Sequence, residues 1–282
     1  MKVIYIKYRL EVCDTIIPPY QPDLEKKPFY KSCVVEAEIN ATSPVSGIIS
    51  DFYQFMTDNQ GNHCCARLIP DSFSYLTINL NPETMRPFLF TCTQSLNQLV
   101  LMPNTEYFSV RFYPCLIGNY FHCHSEDFLN RRMYLDEVMP KQEYEQLLHQ
   151  LRICHTFEKR INFMTRYIAQ KHAAVKDYKN IILFARNRII ITSGTINIET
   201  LSKQIVYSER YLRKLFLDHV GFSPKVLCEL MKFQKSFALY CLYNENLCNI
   251  AYKCGYYDHP QMNKAYLHLV DHSPTNLRKI LL

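Results

Sequence analysis

The chain has 282 residues, is 48% hydrophobic, and carries 32 Lys+Arg against 26 Asp+Glu for a net charge of +6. That length suits about two domains. No apolar run approaches the ~20 residues of a membrane-spanning helix, and the six glycines form no phosphate-cradling loop.

The opening residues, MKVIYIKYRLEVCD, scatter charges through the stretch and lack a small-residue cleavage site. They predict neither a signal peptide nor an anchor, and a cytoplasmic chain. The 12 cysteines are scattered, with only Cys64 and Cys65 adjacent and no CxxC, which reads as reduced thiols, many buried as small hydrophobes. Charge is segregated. Residues 179–282 hold 14 Lys+Arg and 7 Asp+Glu, whereas residues 1–178 hold 18 and 19. A basic excess confined to one region points to a polyanionic partner.

From about Tyr30 to Cys123 the chain reads as strands. SCVVEAEI, ARLIPDSFSYLTINL, PFLFTCT, LNQLVLMP and EYFSVRFYP are rich in β-branched and aromatic residues, with Asn, Pro, Asp and Gly between them. Tyr107, Ser109, Arg111 and Tyr113 alternate with Phe108, Val110 and Phe112, predicting a half-buried antiparallel strand. Ser125-Glu126-Asp127 is expected to open a helix. A second helical stretch is expected from Lys141 to about Lys171. Leu147, Leu148, Leu151, Cys154, Phe157, Ile161 and Met164 form its apolar stripe, facing its own domain or a dimer seam. Residues 172–180 read as the domain junction.

Past the junction one pattern is written twice: LSKQIVYSERYLRKLFLDHVGFSP over residues 201–224, and IAYKCGYYDHPQMNKAYLHLVDHSP over residues 250–274. Each reads as a short helix, a tight turn, a second helix and a Ser-Pro, the layout of a helix-turn-helix. A lead-in helix over residues 180–191 should stop at Gly194. Asn197 is the expected N-cap of helix 198–205, Ser208 of helix 209–219, and Asp258 of the helix ending near Val270. Leu212, Leu215 and Phe216 should face inward, leaving Arg210, Arg213, Lys214 and Tyr211 outside. In the second unit Met262, Ala265, Tyr266 and Leu269 should face inward, leaving His259, Gln261, Asn263 and Lys264. Arg and Lys suit guanine edges or phosphates, and Gln and Asn suit adenine. Pro260 fits a first helical turn. An ordinary helical bundle with a charged exterior is the competing reading. Tandem repetition together with the basic excess disfavours it.

These strings together resemble the DNA-binding domain of the AraC/XylS family of bacterial transcription regulators, over roughly residues 181–280. The resemblance rests on Leu201-Ser202, on Ser208, Arg210, Tyr211, Leu212, Leu215 and Phe216, on GFSP at 221–224, on residues 250–266, and on HSP at 272–274. It implies a seven-helix domain that lays two recognition helices into adjacent major-groove segments. Base contacts would come from Arg210, Arg213 and Lys214 and from His259, Gln261, Asn263 and Lys264, with Ser208 and Tyr211 beside them. Two departures stand out. Val206 replaces a frequent Gly, and a β-branched residue at positive φ is costly, so a differently shaped turn is expected. Asp271-His272 replaces a favoured Gly before the last Ser-Pro.

Residues 68–80 and 100–121 resemble a sensor-like domain that often precedes this DNA-binding domain, with Ser72 where Gly usually follows Pro-Asp. The resemblance implies a β-rich barrel or sandwich with an apolar, partly aromatic pocket.

The expected fold is therefore α+β. A β-rich barrel or sandwich with flanking helices spans residues 1–175, strands to about 123 and helices over 125–175. An all-α seven-helix domain with two helix-turn-helix units spans 179–282. Expected partners are double-stranded promoter DNA, an unidentified small-molecule effector, a second copy of the chain, and RNA polymerase. No enzyme signature such as G-x-S-x-G or HExxH occurs, and no cofactor is predicted. The alternative is a metal- or thiol-redox-responsive regulator using His63-Cys64-Cys65 or His122-Cys123-His124, donors that suit soft metals. With no CxxC, the predicted metal set is empty.

Overall fold

The computed structural model describes residue 21 and residues 30–38, 42–57, 64–114, 116–175 and 178–282. The strands are β1 (Tyr30–Glu38), β2 (Ile49–Thr57), β3 (Cys64–Leu68), β4 (Ser74–Asn79), β5 (Phe88–Thr91), β6 (Asn97–Leu101), β7 (Glu106–Phe112) and β8 (Met133–Tyr134). Six form an antiparallel sheet in the order β1-β2-β7-β4-β5-β8, and β3 pairs with β6. The described strands make a sandwich, not a closed barrel. One face of the large sheet carries Phe52, Leu76, Phe108 and Val110 and packs on helices, with Phe108 edge-on to Phe157 at 6.0 Å. The other face lies under the β3–β6 pair.

β7 is buried on both faces beyond Glu106, which corrects the expectation of a half-buried strand. Its polar residues find partners inside the sandwich. The Arg111 Nη2 lies 2.6 Å from Asp51 Oδ2, and Thr77 and Ser109 share a 2.9 Å hydrogen bond. Buried polar groups persist only when paired in this way.

Helix α1 is Ile117–Tyr120, α2 is Lys141–Ile153 and α3 is Phe157–Ala173. The stretch expected as one helix from 141 to 171 is thus two. Cys154 leaves helical geometry at ψ 86°, and Thr156 caps α3 by accepting from Lys159 N at 3.3 Å. Ser125–Phe128 is one 3-10 turn rather than a helix capped by Ser125; Asp127 accepts from His124 N instead. The stripe over residues 147–164 turns inward. Leu147, Leu148, Leu151 and Met164 are buried in the chain's own core, so that stripe is not a free dimer seam.

The C-terminal region is α4 (Lys179–Ile191), α5 (Ile198–Ile205), α6 (Glu209–Val220), α7 (Pro224–Tyr243), α8 (Leu247–Lys253), α9 (His259–Val270) and α10 (Pro274–Leu281). Two apolar clusters organise the molecule. One runs from the sandwich through α4 into α5 and α6, ending at Leu227 and Met231 on α7. The second lies between the remainder of α7 and α8, α9 and α10, reached from the sandwich side by Ile69 and Leu96. No helix among the described residues is long and apolar enough to cross a membrane.

Candidate nucleic-acid interface

In the first unit, Asn197 Oδ1 accepts from Glu199 N at 2.7 Å and Ser208 Oγ accepts from Tyr211 N at 3.2 Å. Each satisfies one amide that a helix start leaves orphaned. Leu212, Leu215 and Phe216 are buried, which rotates Arg210, Arg213 and Lys214 into solvent on the far side of α6. Ser208 is exposed at the N-cap, and the Tyr211 ring stacks on Tyr207 with centroids 5.0 Å apart.

The turn between α5 and α6 corrects the expectation drawn from Val206. Val206 sits at φ 60°, ψ 33°, fully left-handed, and is 87% exposed. The turn keeps the shape a glycine would take, and the β-branched side chain bears the strain.

The second unit has the same layout with different chemistry. Gly255 supplies the left-handed residue at φ 72°, and a Cβ there would meet Thr195 Cγ2 at 2.8 Å. Asp258 Oδ1 caps α9 by accepting from Gln261 N at 2.7 Å, with Pro260 in the first turn. Met262, Tyr266 and Leu269 are buried and Ala265 is half-buried. Tyr266 packs edge-on to Phe233 at 4.7 Å and shares a 2.8 Å hydrogen bond with Ser236 Oγ. At the C-terminal end Asp271 takes φ 58° where the first unit has Gly221 at φ 91°. Asp tolerates that region better than most residues, which explains how the unit manages without the favoured Gly.

The four outward candidates of α9 are not alike. Lys264 is exposed. Gln261 is exposed too, but its Oε1 accepts from Tyr257 N at 2.7 Å, while its own N–H donates to the cap Asp258 Oδ1. That leaves its NH2 group as the part of the side chain that can donate outward. His259 and Asn263 are half-buried, and His259 Nε2 and Asn263 Oδ1 have no hydrogen-bond partner among the described residues. Beside them stand two residues that the sequence pattern does not single out. Tyr252 and Tyr257 flank the second turn at 84% and 91% exposure. Only the fold of that turn, with Tyr256 tucked in and Tyr257 left out, distinguishes them.

No ion pair seen among the described residues uses Arg210, Arg213, Lys214 or Lys264. These cations are available to phosphates and base edges. The arrangement can do what a tandem helix-turn-helix does. It offers two helix N-termini, each with cationic or amide side chains, to one polyanionic surface.

The other candidate constellations separate. His63 lies outside the described residues, and Cys65 is exposed on β3. His122 sits at φ 59° in a turn after α1 rather than on a strand. Its Nε2 pairs with Glu143 Oε2 at 2.8 Å, while Cys123 Sγ turns to Gly118 O at 3.8 Å. Burial pushes the Cys123 thiol up to about 12 and the Cys228 thiol to about 11, far from thiolate chemistry at neutral pH. No group of three or more His, Cys, Asp or Glu among the described residues converges to hold a metal. Between the sandwich layers a cavity is walled by Tyr53, Phe55, Leu68, Tyr75, Thr77, Phe90 and Leu99, with about 10 Å³ of space, barely one water.

Residues 201–280 match the family model described as a helix-turn-helix domain. This tract is an AraC-type helix-turn-helix domain. No curated protein matches the chain. Among solved structures, the chain is similar to ToxT from Vibrio cholerae O395 at 10% identity and TM-score 0.36, covering 90% of this chain and 99% of that one. It is also similar to unsaturated fatty acid bound wild-type ToxT from Vibrio cholerae strain SCE256 at 10% identity and TM-score 0.35, covering 80% and 93%. A third similarity is to the xylose-binding transcription activator xylR at 18% identity and TM-score 0.30, covering 38% and 28%. Likenesses this distant carry no argument about this chain. The AraC-type assignment rests on the sequence match, and it agrees with the capped, twice-repeated geometry of α5–α6 and α8–α9.

Proposed function

We propose that the chain is a bacterial, cytoplasmic, non-enzymatic transcription regulator that binds promoter DNA in a sequence-specific way. The observation that carries this reading is the pair of capped recognition helices, α6 and α9, each presenting solvent-facing cations or amides in an AraC-type domain. Residues 179–282 form the DNA-binding part, and residues 1–175 sense a small-molecule effector and mediate pairing of two copies. Arg210, Arg213 and Lys214 supply most of the sequence choice, with Ser208 and Tyr211 positioning them. Lys264, Gln261, His259 and Asn263 form a softer second reader. Phosphate contacts give affinity and base contacts give choice. An effector acts by binding two arrangements of the chain with different affinities.

The test is enrichment of duplexes from a random library by the full chain, followed by titration at several salt concentrations. The expected result is a two-part consensus and an affinity that falls steeply with salt. Absence of any enriched sequence, or a flat salt response, contradicts the reading. A panel of metabolites scored by the shift in melting temperature then identifies the effector, since a binder selective for the folded state raises it.

A further inference from the structure

Both recognition helices are gripped at the same place. Counted from their N-caps Ser208 and Asp258, His219 in α6 and Leu269 in α9 are equivalent positions. The His219 carbonyl accepts from Ser125 Oγ at 2.7 Å, and the Leu269 carbonyl accepts from Ser95 N at 2.7 Å. The last-turn carbonyls of a helix lack internal partners. Here one in each reader is satisfied by the sheet-bearing half of the chain. The first grip is reinforced by the Tyr178 ring, stacked on His219 at 4.0 Å. It is also reinforced by Gly221, where a Cβ would meet Ser125 and Leu129 at 3.1 Å.

The two gripping segments are tied to each other through one side chain. Asn130 Oδ1 accepts from Thr93 N at 2.7 Å and from Gln94 N at 3.0 Å, and its Nδ2 donates to Thr93 Oγ1 at 2.9 Å. Its backbone N–H donates to Thr91 O at 2.6 Å. Asn130 follows the 3-10 turn that begins at Ser125, so it clips the Ser125 segment to the Ser95 segment. It holds φ 57° to do so. A third contact lies on α7, the helix that joins the two units. Gln234 Nε2 donates to Pro70 O at 2.7 Å. That loop is fastened in turn to Cys92 O by Asp71 N at 2.9 Å and Ser72 N at 3.3 Å. All three grips lie away from the N-terminal turns where the candidate readers project, so they leave the DNA-facing side open.

We propose that Asn130 is a positioning residue that fixes the relative placement of the two recognition helices, so that the chain's preference for the spacing between its two half-sites is set by the sheet-bearing half. This rests on the DNA-binding reading above and deepens it. A merely structural Asn130 would change stability and would change affinity equally on every duplex. A positioning Asn130 changes which spacing is preferred.

The experiment uses the full chain and a duplex enriched from a random library. Versions of that duplex carry one base pair inserted or removed between the half-sites. Wild type should lose at least about tenfold in affinity on either change, the size of a lost specific contact. Asn130→Gly keeps the left-handed backbone comfortable while deleting the clip, and should cut that penalty to below about threefold. Asn130→Asp keeps the acceptor for Thr93 and Gln94 and should restore the penalty. Ser125→Ala severs one grip without touching Asn130 and should also relax spacing; it serves should Asn130→Gly fail to melt cooperatively. An unchanged spacing penalty in folded variants, or an equal loss on all duplexes, overturns the proposal. Failure of wild type to enrich any duplex sinks the DNA-binding reading itself, and is distinguishable because no variant is then needed.

Discussion

The two helix-turn-helix units share a layout but differ in how they are built into the molecule. The first shares an apolar cluster with the sandwich: Leu201, Leu212, Leu215 and Phe216 belong with Phe108 and Phe112. The second has its own cluster around Phe233, Phe237 and Tyr266. The first candidate reader is cationic and fully outward. The second is softer, and part of His259 and Asn263 is turned inward. Duplication of a motif therefore does not duplicate its mechanical role. One unit is fused to the sheet-bearing half, and the other is joined to that half by a few hydrogen bonds and by Ile69 and Leu96.

The largest expected effect separates the two cores. Phe216→Ala and Phe237→Ala both delete a fully buried ring and should each cost about 3–5 kcal/mol. Hydrogen exchange should show the sheet amides opening with the first unit in Phe216→Ala. In Phe237→Ala the sheet should stay protected while α8 to α10 open. Loss of sheet protection in both variants would erase the distinction.

A second effect concerns the loop that holds the second unit. Burial raises the Asp71 carboxyl from the ordinary range to about 6, although Tyr75, Gln21 and the Phe73 amide all donate to it. A folded pKa above the unfolded one means the folded state holds an extra proton in between. The contribution is complete below about pH 4 and is lost as pH rises through about 6, by roughly 2–3 kcal/mol. Denaturant melts of wild type and Asp71→Asn across that window should diverge, with wild type losing ground as pH rises. Parallel curves would show that Asp71 titrates normally.

The helix boundaries and caps of the C-terminal half were legible in the sequence because they are local. Asn197, Ser208 and Asp258 each cap with a short side chain reaching its own next turn, so no distant residue is consulted. The sheet was less legible. β2 has Phe52 and Phe55 on opposite faces around Tyr53 and Gln54, so no clean alternation announces it. β7 looked half-solvated because Arg111 and Ser109 are polar, yet their partners Asp51 and Thr77 are supplied by other strands. Of the candidate readers, Arg210, Arg213 and Lys214 follow from the helical period alone. The inward turn of His259 and Asn263 depends on how α9 packs, which no spacing encodes. Ser72 shows a third kind of legibility. It holds φ 68° where the resembling domain usually has Gly, so the backbone kept the shape and the side chain changed.

At the interface, Arg213→Ala should weaken binding to the enriched duplex by roughly 1–3 kcal/mol and relax one base position. Asn263→Ala, truncating a half-buried side chain, should cost less. Titrations on matched and scrambled duplexes check both. A larger loss at Asn263 would reverse the ranking of the two readers.

The smallest effect is at the two turns. Val206→Gly should stabilise the protein by about 1 kcal/mol, because the left-handed backbone is strained for a β-branched residue, whereas Gly255→Ala should destabilise it. Thermal melts of the two variants should move in opposite directions. Movement in the same direction would mean the turns are not equivalent.

The most direct measurement is a hydroxyl-radical footprint of the full chain on its enriched duplex. Two recognition helices acting as one fixed pair predict two protected patches on one face of the DNA, about one helical turn or ~10 base pairs apart. A single protected patch, or protection that drifts without preference for sequence, would contradict it.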